Sequence, residues 1–184
     1  MLKKAAGLCP DVFVPDLEDS VPLGEKDSAR AIAASCLQSF SVTHSIVIPR
    51  LNSLDTGLLE KDMEALIGPH TYGVSVGKIH AGRDIEVIDQ ILVKVERSKG
   101  ISIGSTKLIP WIESASGIVN AYEICSASTR IVGVAFGAED YTNDMRIERR
   151  DDESETAFAR NVVCVAARAA DVPAIDSPYF RFLD

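Results

Sequence analysis

Two carboxylates stand where apolar runs end. Glu113 closes Leu108-Ile109-Pro110-Trp111-Ile112, and Asp140 follows Val134-Ala135-Phe136-Gly137, with one helix-length segment between them. If the two runs are successive parallel strands, both acids emerge at the same C-terminal rim. Two hard oxygen ligands there, with positions left for water and substrate, suit Mg²⁺. Arg50 ends a third run, Ser45-Ile46-Val47-Ile48-Pro49. Its planar guanidinium can grip a carboxylate through two parallel hydrogen bonds, which a lysine does less well. Asp16, Glu18 and Asp19 follow a fourth run, Val12-Phe13-Val14, without the glycine and distal glutamate of a calcium loop. Blander roles fit the same residues. A strand-end acid also serves as a helix N-cap, and Arg50 can simply pair with Asp16 or Glu18.

The elements that must carry these groups alternate along the chain. Strands are expected at 12–14, 45–49 and 72–76, then one ending at Glu113, one ending near Asp140, and a last one at 172–176. Between them lie helical stripes: Ala29, Ile32, Ala33, Cys36 and Leu37; Leu58, Leu59, Met63, Leu66 and Ile67; Ile88, Ile91, Leu92 and Val95; a helix through Ala121 and Ile124; and Val162, Val165, Ala166 and Ala169 facing inward from 158–170. Strands that are continuously apolar and spaced by roughly 30 residues are the units of a covered parallel sheet. The turn after the first strand is acidic rather than glycine-rich, which argues against a dinucleotide-binding fold. Polar groups at nearly every strand end point instead to an α/β fold of the TIM (β/α)8-barrel type, with six of its eight strands recognisable. The charged segment 144–155 is expected to be a solvated loop.

Composition sets outer bounds. A chain of 184 residues, 46% apolar and 25% charged, has the size and balance of one globular domain, here a single partial barrel over 1–184. Nineteen basic against 27 acidic residues give −8, with no basic block for nucleic acid or an anionic membrane. The four cysteines form no C-x-x-C pair and read as free buried thiols in a reducing compartment. No apolar run approaches ~20 residues. Residues 1–7 are too short and polar for a secretory signal. An intracellular, cytoplasmic setting is expected, or a mitochondrial one should a further segment precede Met1.

Taken together, the strand ends resemble the citrate lyase β-subunit-like family, with its malyl-CoA and citramalyl-CoA lyase relatives, in the wider HpcH/HpaI aldolase superfamily. The motifs are Asp16-Leu17-Glu18-Asp19-Ser20-Val21 with Lys26 and Ala29-Arg30; Arg50-Leu51-Asn52; Glu113-Ser114-Ala115-Ser116-Gly117; Phe136-Gly137-Ala138-Glu139-Asp140-Tyr141; and Ala174-Ile175-Asp176. Five pieces in order, at barrel-strand intervals, cover nearly the whole chain.

The resemblance implies Mg²⁺ (with Mn²⁺ as a substitute) held by Glu113 and Asp140. It also implies a substrate carboxylate held by Arg50, Lys4 near the coenzyme A phosphates, and a supporting acidic floor of Asp16, Glu18 and Asp19. The implied reaction is cleavage of a 3-hydroxyacyl-CoA to an acyl-CoA and a 2-oxo acid in a homo-oligomer, a trimer or hexamer.

Departures accompany the likeness. Serine replaces threonine at Ser114, and Gly77-Lys78 replaces the usual Pro-Lys. The family's first and eighth strands, a His-Pro motif and a segment supplying a catalytic aspartate to a neighbouring subunit have no counterpart here. Two rivals therefore stand beside the lyase: a metal-free aldolase using a Lys78 Schiff base, and an inactive paralogue or oligomer subunit that keeps the metal site. His44, His70 and His80 show no metal spacing and receive no role.

Overall fold

The computed structural model describes Leu8, residues 10–41 and residues 45–178; for 38–41 it describes the helical backbone alone. Lys4, Cys9 and His44 lie outside the described residues. The chain divides into two compact units, Met1–Gly77 with Val87–Leu108, and Lys78–Glu86 with Ile109–Asp184.

In the first unit, β1 (Val12–Phe13) pairs in parallel with β2 (Ile46–Val47), and β3 (Arg50–Leu51) with β4 (Gly73–Val76). The single strand expected over 45–49 is thus two strands. Pro49, with no N–H to donate, stands at the break. The ladder nevertheless runs on past it. Ile48 N–H reaches Phe13 O, Arg50 N–H reaches Pro15 O, and Leu17 N–H returns to Arg50 O, each at 2.9 Å. Asp16 and Arg50 meet as a parallel bridge, so both side chains leave the same end of this pair.

Helices α1 (Lys26–Ser41) and α2 (Leu59–Leu66) pack together. Ala33, Cys36 and Leu37 are buried as expected, but Ile32 is 56% exposed because it sits about 100° round the helix from Ala33. The buried stripe of α2 holds an acid, Asp62, among Leu59, Met63 and Leu66.

Helix α3 (Gly82–Ser98) and strand β5 (Lys107–Ile112) pass from one unit into the other. Ile85, Ile88, Leu92 and Val95 of α3 are buried. In the second unit β5, β6 (Val134–Phe136) and β7 (Ala174–Ile175) are parallel neighbours, with Ile112 opposite Phe136 and Val134 opposite Ala174. β6 is buried throughout, whereas β5 alternates and both β7 residues are exposed. Among the described strands, continuous burial therefore holds for β4 and β6 and not for β5.

One helix was expected after β5, yet two form, α4 (Ala115–Val119) and α5 (Ala121–Ser126), with the break at Asn120. Helices α6 (Ala138–Met145) and α7 (Ala157–Ala169) complete the unit. The inner face of α7 is Ala159, Val163, Ala166 and Ala167, not the expected set, and Val165 is 71% exposed. Ala166 alone of the expected inward residues is buried, and with Ala159, Val163 and Ala167 it lies where α7 packs against α5 and β6.

The 144–155 segment is also more than a solvated loop. Arg149 pairs with Glu139, Glu153 and Glu155, and Thr156 just beyond is fully buried. Among the cysteines, Cys36 and Cys125 are buried, but Cys164 is exposed on α7. Among the described residues, no helix is long and apolar enough to cross a membrane.

Candidate active site

In the first unit, the acidic turn after β1 folds round Arg50. Asp16 Oδ1 accepts the Glu18 N–H at 2.8 Å and Oδ2 the Ser20 N–H at 3.2 Å. Lys26 ties the same turn down by donating Nζ to Leu17 O and Glu18 O, both at 2.7 Å. Arg50 then donates Nε and Nη2 to the two Asp16 oxygens at 2.8 and 2.6 Å, a fork-to-fork pair. Its Nη1 lies 3.4 Å from both Glu18 and Asp19. The ion pair that the spacing allowed is thus present, and one cation faces three carboxylates.

Burial of Asp16 raises its pKa, but the hydrogen bonds and charge of Arg50 outweigh that and hold it at about 2. Burial of Arg50 opposes its charge, yet Asp16, Glu18 and Asp19 raise its pKa further above the ordinary arginine value. Because the folded-state pKa of Asp16 lies below its ordinary 3.8, its stabilisation is complete above about pH 4 and is lost as pH falls through about 2. We expect the stability difference between the native chain and Asp16→Asn, read from urea midpoints, to shrink across that window. The change should be on the order of 1 kcal/mol, allowing for solvent screening at this partly open site. Parallel pH profiles for the two proteins would exclude it.

In the second unit, Glu113 is only 4% exposed. Its Oε1 accepts the Lys78 N–H at 2.6 Å. The other carboxylate oxygen lies over Gly137, where an added Cβ would overlap it and stand 2.7 Å from the Glu113 Cβ. Gly137 has φ −103° and ψ 97°, open to any residue, so glycine is required here by the nearness of Glu113 and not by backbone strain.

Asp140 is half-buried in the first turn of α6, three residues beyond Gly137. That turn is fastened on both sides. Gly137 N–H donates to Ile112 O at 3.2 Å, Ala138 N–H to Ser177 Oγ at 3.0 Å, and Ser177 Oγ to Phe136 O at 2.9 Å. Tyr141 packs on Phe136 with ring centroids 5.5 Å apart. Parallel pairing of β5 with β6 brings Glu113 and the Asp140 turn to one strand end, as the spacing predicted.

Several participants carried no sequence signal for their role. Lys78 contributes its main-chain amide, from a backbone with φ +57°. His80 bonds to serines 34 and 36 positions away. Ser177 acts through one hydroxyl from beyond β7. Gly137 could have been found: a glycine between an apolar strand and an acid marks a place where something approaches the main chain closely. The donor set suits a hard divalent cation, two carboxylates of which one is almost fully dehydrated over a cradle that a methyl group would fill. Among the described residues, no group of three or more His, Cys, Asp or Glu side chains is gathered for a metal.

Parallel strands each handing over to a helix, with acids at the ends of β5 and β6, define part of a (β/α) barrel. The chain belongs to the HpcH/HpaI aldolase/citrate lyase family, which matches residues 1–182. It is 37% identical to the citrate lyase subunit beta of Leuconostoc mesenteroides subsp. cremoris over 184 residues, all of this chain and 61% of that protein. Among solved structures, it superposes on a lead(II) complex of Haloferax volcanii malate synthase with TM-score 0.89 at 23% identity, covering 100% of this chain and 58% of that one. That likeness shows the fold. It also matches protein CitE from Mycobacterium tuberculosis in complex with magnesium and acetoacetate, with TM-score 0.77 at 25% identity over 98% of this chain and 70% of that one. The chain spans about three fifths of the length of the curated relatives it matches.

Proposed function

We propose that this chain carries the site of a Mg²⁺-dependent carbon–carbon lyase. It would cleave a 3-hydroxyacyl-CoA of the citryl, malyl or citramalyl type to an acyl-CoA and a 2-oxo acid. The observation that carries this reading is Glu113: a buried carboxylate, gripped by a main-chain amide and seated on a glycine, at the strand end that also bears Asp140. A carboxylate held this firmly at a strand end offers a hard oxygen ligand of the kind a divalent cation takes. Glu113 and Asp140 would hold the ion, which when bound acts as a Lewis acid on the substrate's hydroxyl oxygen.

The remaining work falls to the chain itself. The Lys78 amide fixes one Glu113 oxygen, so the carboxylate needs no reorientation on loading. Fixing of this kind, together with orientation of the substrate, is worth several kcal/mol of barrier. Arg50, whose own geometry is set by Asp16, is assigned the substrate carboxylate, with Glu18 and Asp19 as its acidic surroundings. Lys4 is assigned the coenzyme A phosphates.

The test is direct. Citryl-, malyl- and citramalyl-CoA are incubated with the protein in Mg²⁺ and in EDTA, and acetyl-CoA release is followed by chromatography. Release from at least one substrate that EDTA abolishes is expected. Absence of release from all three in Mg²⁺ would leave the non-catalytic paralogue as the better account.

A further inference from the structure

An exposed histidine without an assigned role sits beside the Glu113 turn. His80 Nδ1 lies 2.9 Å from Ser114 Oγ and 3.0 Å from Ser116 Oγ, and the two hydroxyls are 3.1 Å apart. Ser114 Oγ also accepts the Gly117 N–H at 3.1 Å, capping α4. The ring therefore joins the turn after β4 to the residues that directly follow Glu113.

Four further hydrogen bonds close the same junction. Asn120 Nδ2 donates to His80 O at 2.9 Å, Ile79 N–H donates to Trp111 O at 3.3 Å, and Asp84 Oδ2 accepts the His80 and Ala81 amides at 2.8 and 3.1 Å. Gly117 allows the approach, since a Cβ there would stand 2.7 Å from Ile79 O.

What this junction holds in place is Lys78. Its φ of +57° is in the left-handed region, which an L side chain occupies at a cost of about 1–3 kcal/mol unless its surroundings impose it. In that conformation its N–H meets Glu113 Oε1. We propose that His80 is a positioning residue for Glu113: by joining Ser114 and Ser116 to the 78–81 turn, it keeps the Lys78 amide aimed at the carboxylate. Its influence passes through the main chain.

Two measurements on the full chain test this. The first is hydrogen exchange of the Lys78 amide by NMR, with the Ala135 amide of buried β6 as reference. In His80→Ala the Lys78 amide should exchange about ten-fold faster or more, while Ala135 keeps its rate. His80→Gln, whose amide can still bond a hydroxyl, should recover most of the protection. If His80→Ala does not fold, Ser114→Ala combined with Ser116→Ala removes the same link and should give the same pattern. Unchanged Lys78 exchange, or equal acceleration at Lys78 and Ala135, would reduce His80 to a general structural staple and overturn the inference.

The second measurement rests on the metal reading above. Mn²⁺ titration followed by electron paramagnetic resonance should show about ten-fold weaker binding in His80→Ala, with no added loss when Glu113→Gln is already present. Faster Lys78 exchange in His80→Ala, together with a native chain that binds no Mn²⁺, would support the positioning role and sink the metal site instead.

Discussion

A Gly137→Ala protein should bind Mn²⁺ at least about ten-fold more weakly than the native chain and lose the proposed Mg²⁺-supported cleavage as fully as Glu113→Ala. A single methyl group is enough because of where it would go. Built on the Gly137 backbone, it overlaps one Glu113 oxygen and stands 3.2 Å from the carboxyl carbon. The main chain at 137 is in an ordinary extended conformation, so alanine meets no strain of its own. The carboxylate must move, and in moving it leaves the Lys78 amide. Some stability will go too, since overfilling a packed site costs about 1–3 kcal/mol. The binding comparison therefore belongs well below the unfolding temperature, with circular dichroism confirming a folded protein. Native Mn²⁺ affinity in a folded Gly137→Ala chain would show that Glu113 is not held as described, and the proposed metal site would fail with it.

The second large effect lies away from the chemistry. Asp62→Ala should destabilise the protein by about 3–5 kcal/mol, a fall in melting temperature on the order of 10 °C for a chain of this size. Asp62 is fully buried. It accepts Arg30 Nε at 2.8 Å, the Asn52 N–H at 2.9 Å and Asn52 Nδ2 at 2.6 Å. Removing it strands a largely buried guanidinium whose other acidic partner, Asp27, is almost wholly exposed. It also leaves the Asn52 amide without its acceptor, two residues beyond Arg50. Asp62→Asn keeps an acceptor and should cost less. Asp27→Ala, a surface change, should cost no more than about 1 kcal/mol. A loss from Asp62→Ala as small as that from Asp27→Ala would mean that the network contributes little.

These two sites differ in how much of them the sequence disclosed. Glu113 and Asp140 were legible because strand position is legible: each closes an apolar run, and parallel strands bring such ends together. Arg50 was legible as a group able to meet a carboxylate, though the partner the structure shows it meeting belongs to its own chain. Asp62 was not legible, since its partner Arg30 is 32 positions away and an acid within a short helix reads as surface. His80 was passed over for a related reason, because two hydroxyls 34 and 36 positions distant leave no local trace. The inward face of α7 was caught only at Ala166, because helical spacing alone fits a neighbouring stripe as well as the one that is buried. The break at Pro49 was missed although its missing donor stood in the sequence, and the onward ladder from Asp16 to Arg50 depended on which strand lay alongside.

The left-handed backbone at Lys78 has a consequence for when this part of the molecule comes into being. Nothing within Gly77–Ala81 favours that conformation, so an excised peptide of this segment would not hold it. Its support comes from residues on α4 and at the end of β5, which reach it only once those elements have docked. The grip on the carboxylate is therefore complete only when those elements are docked together.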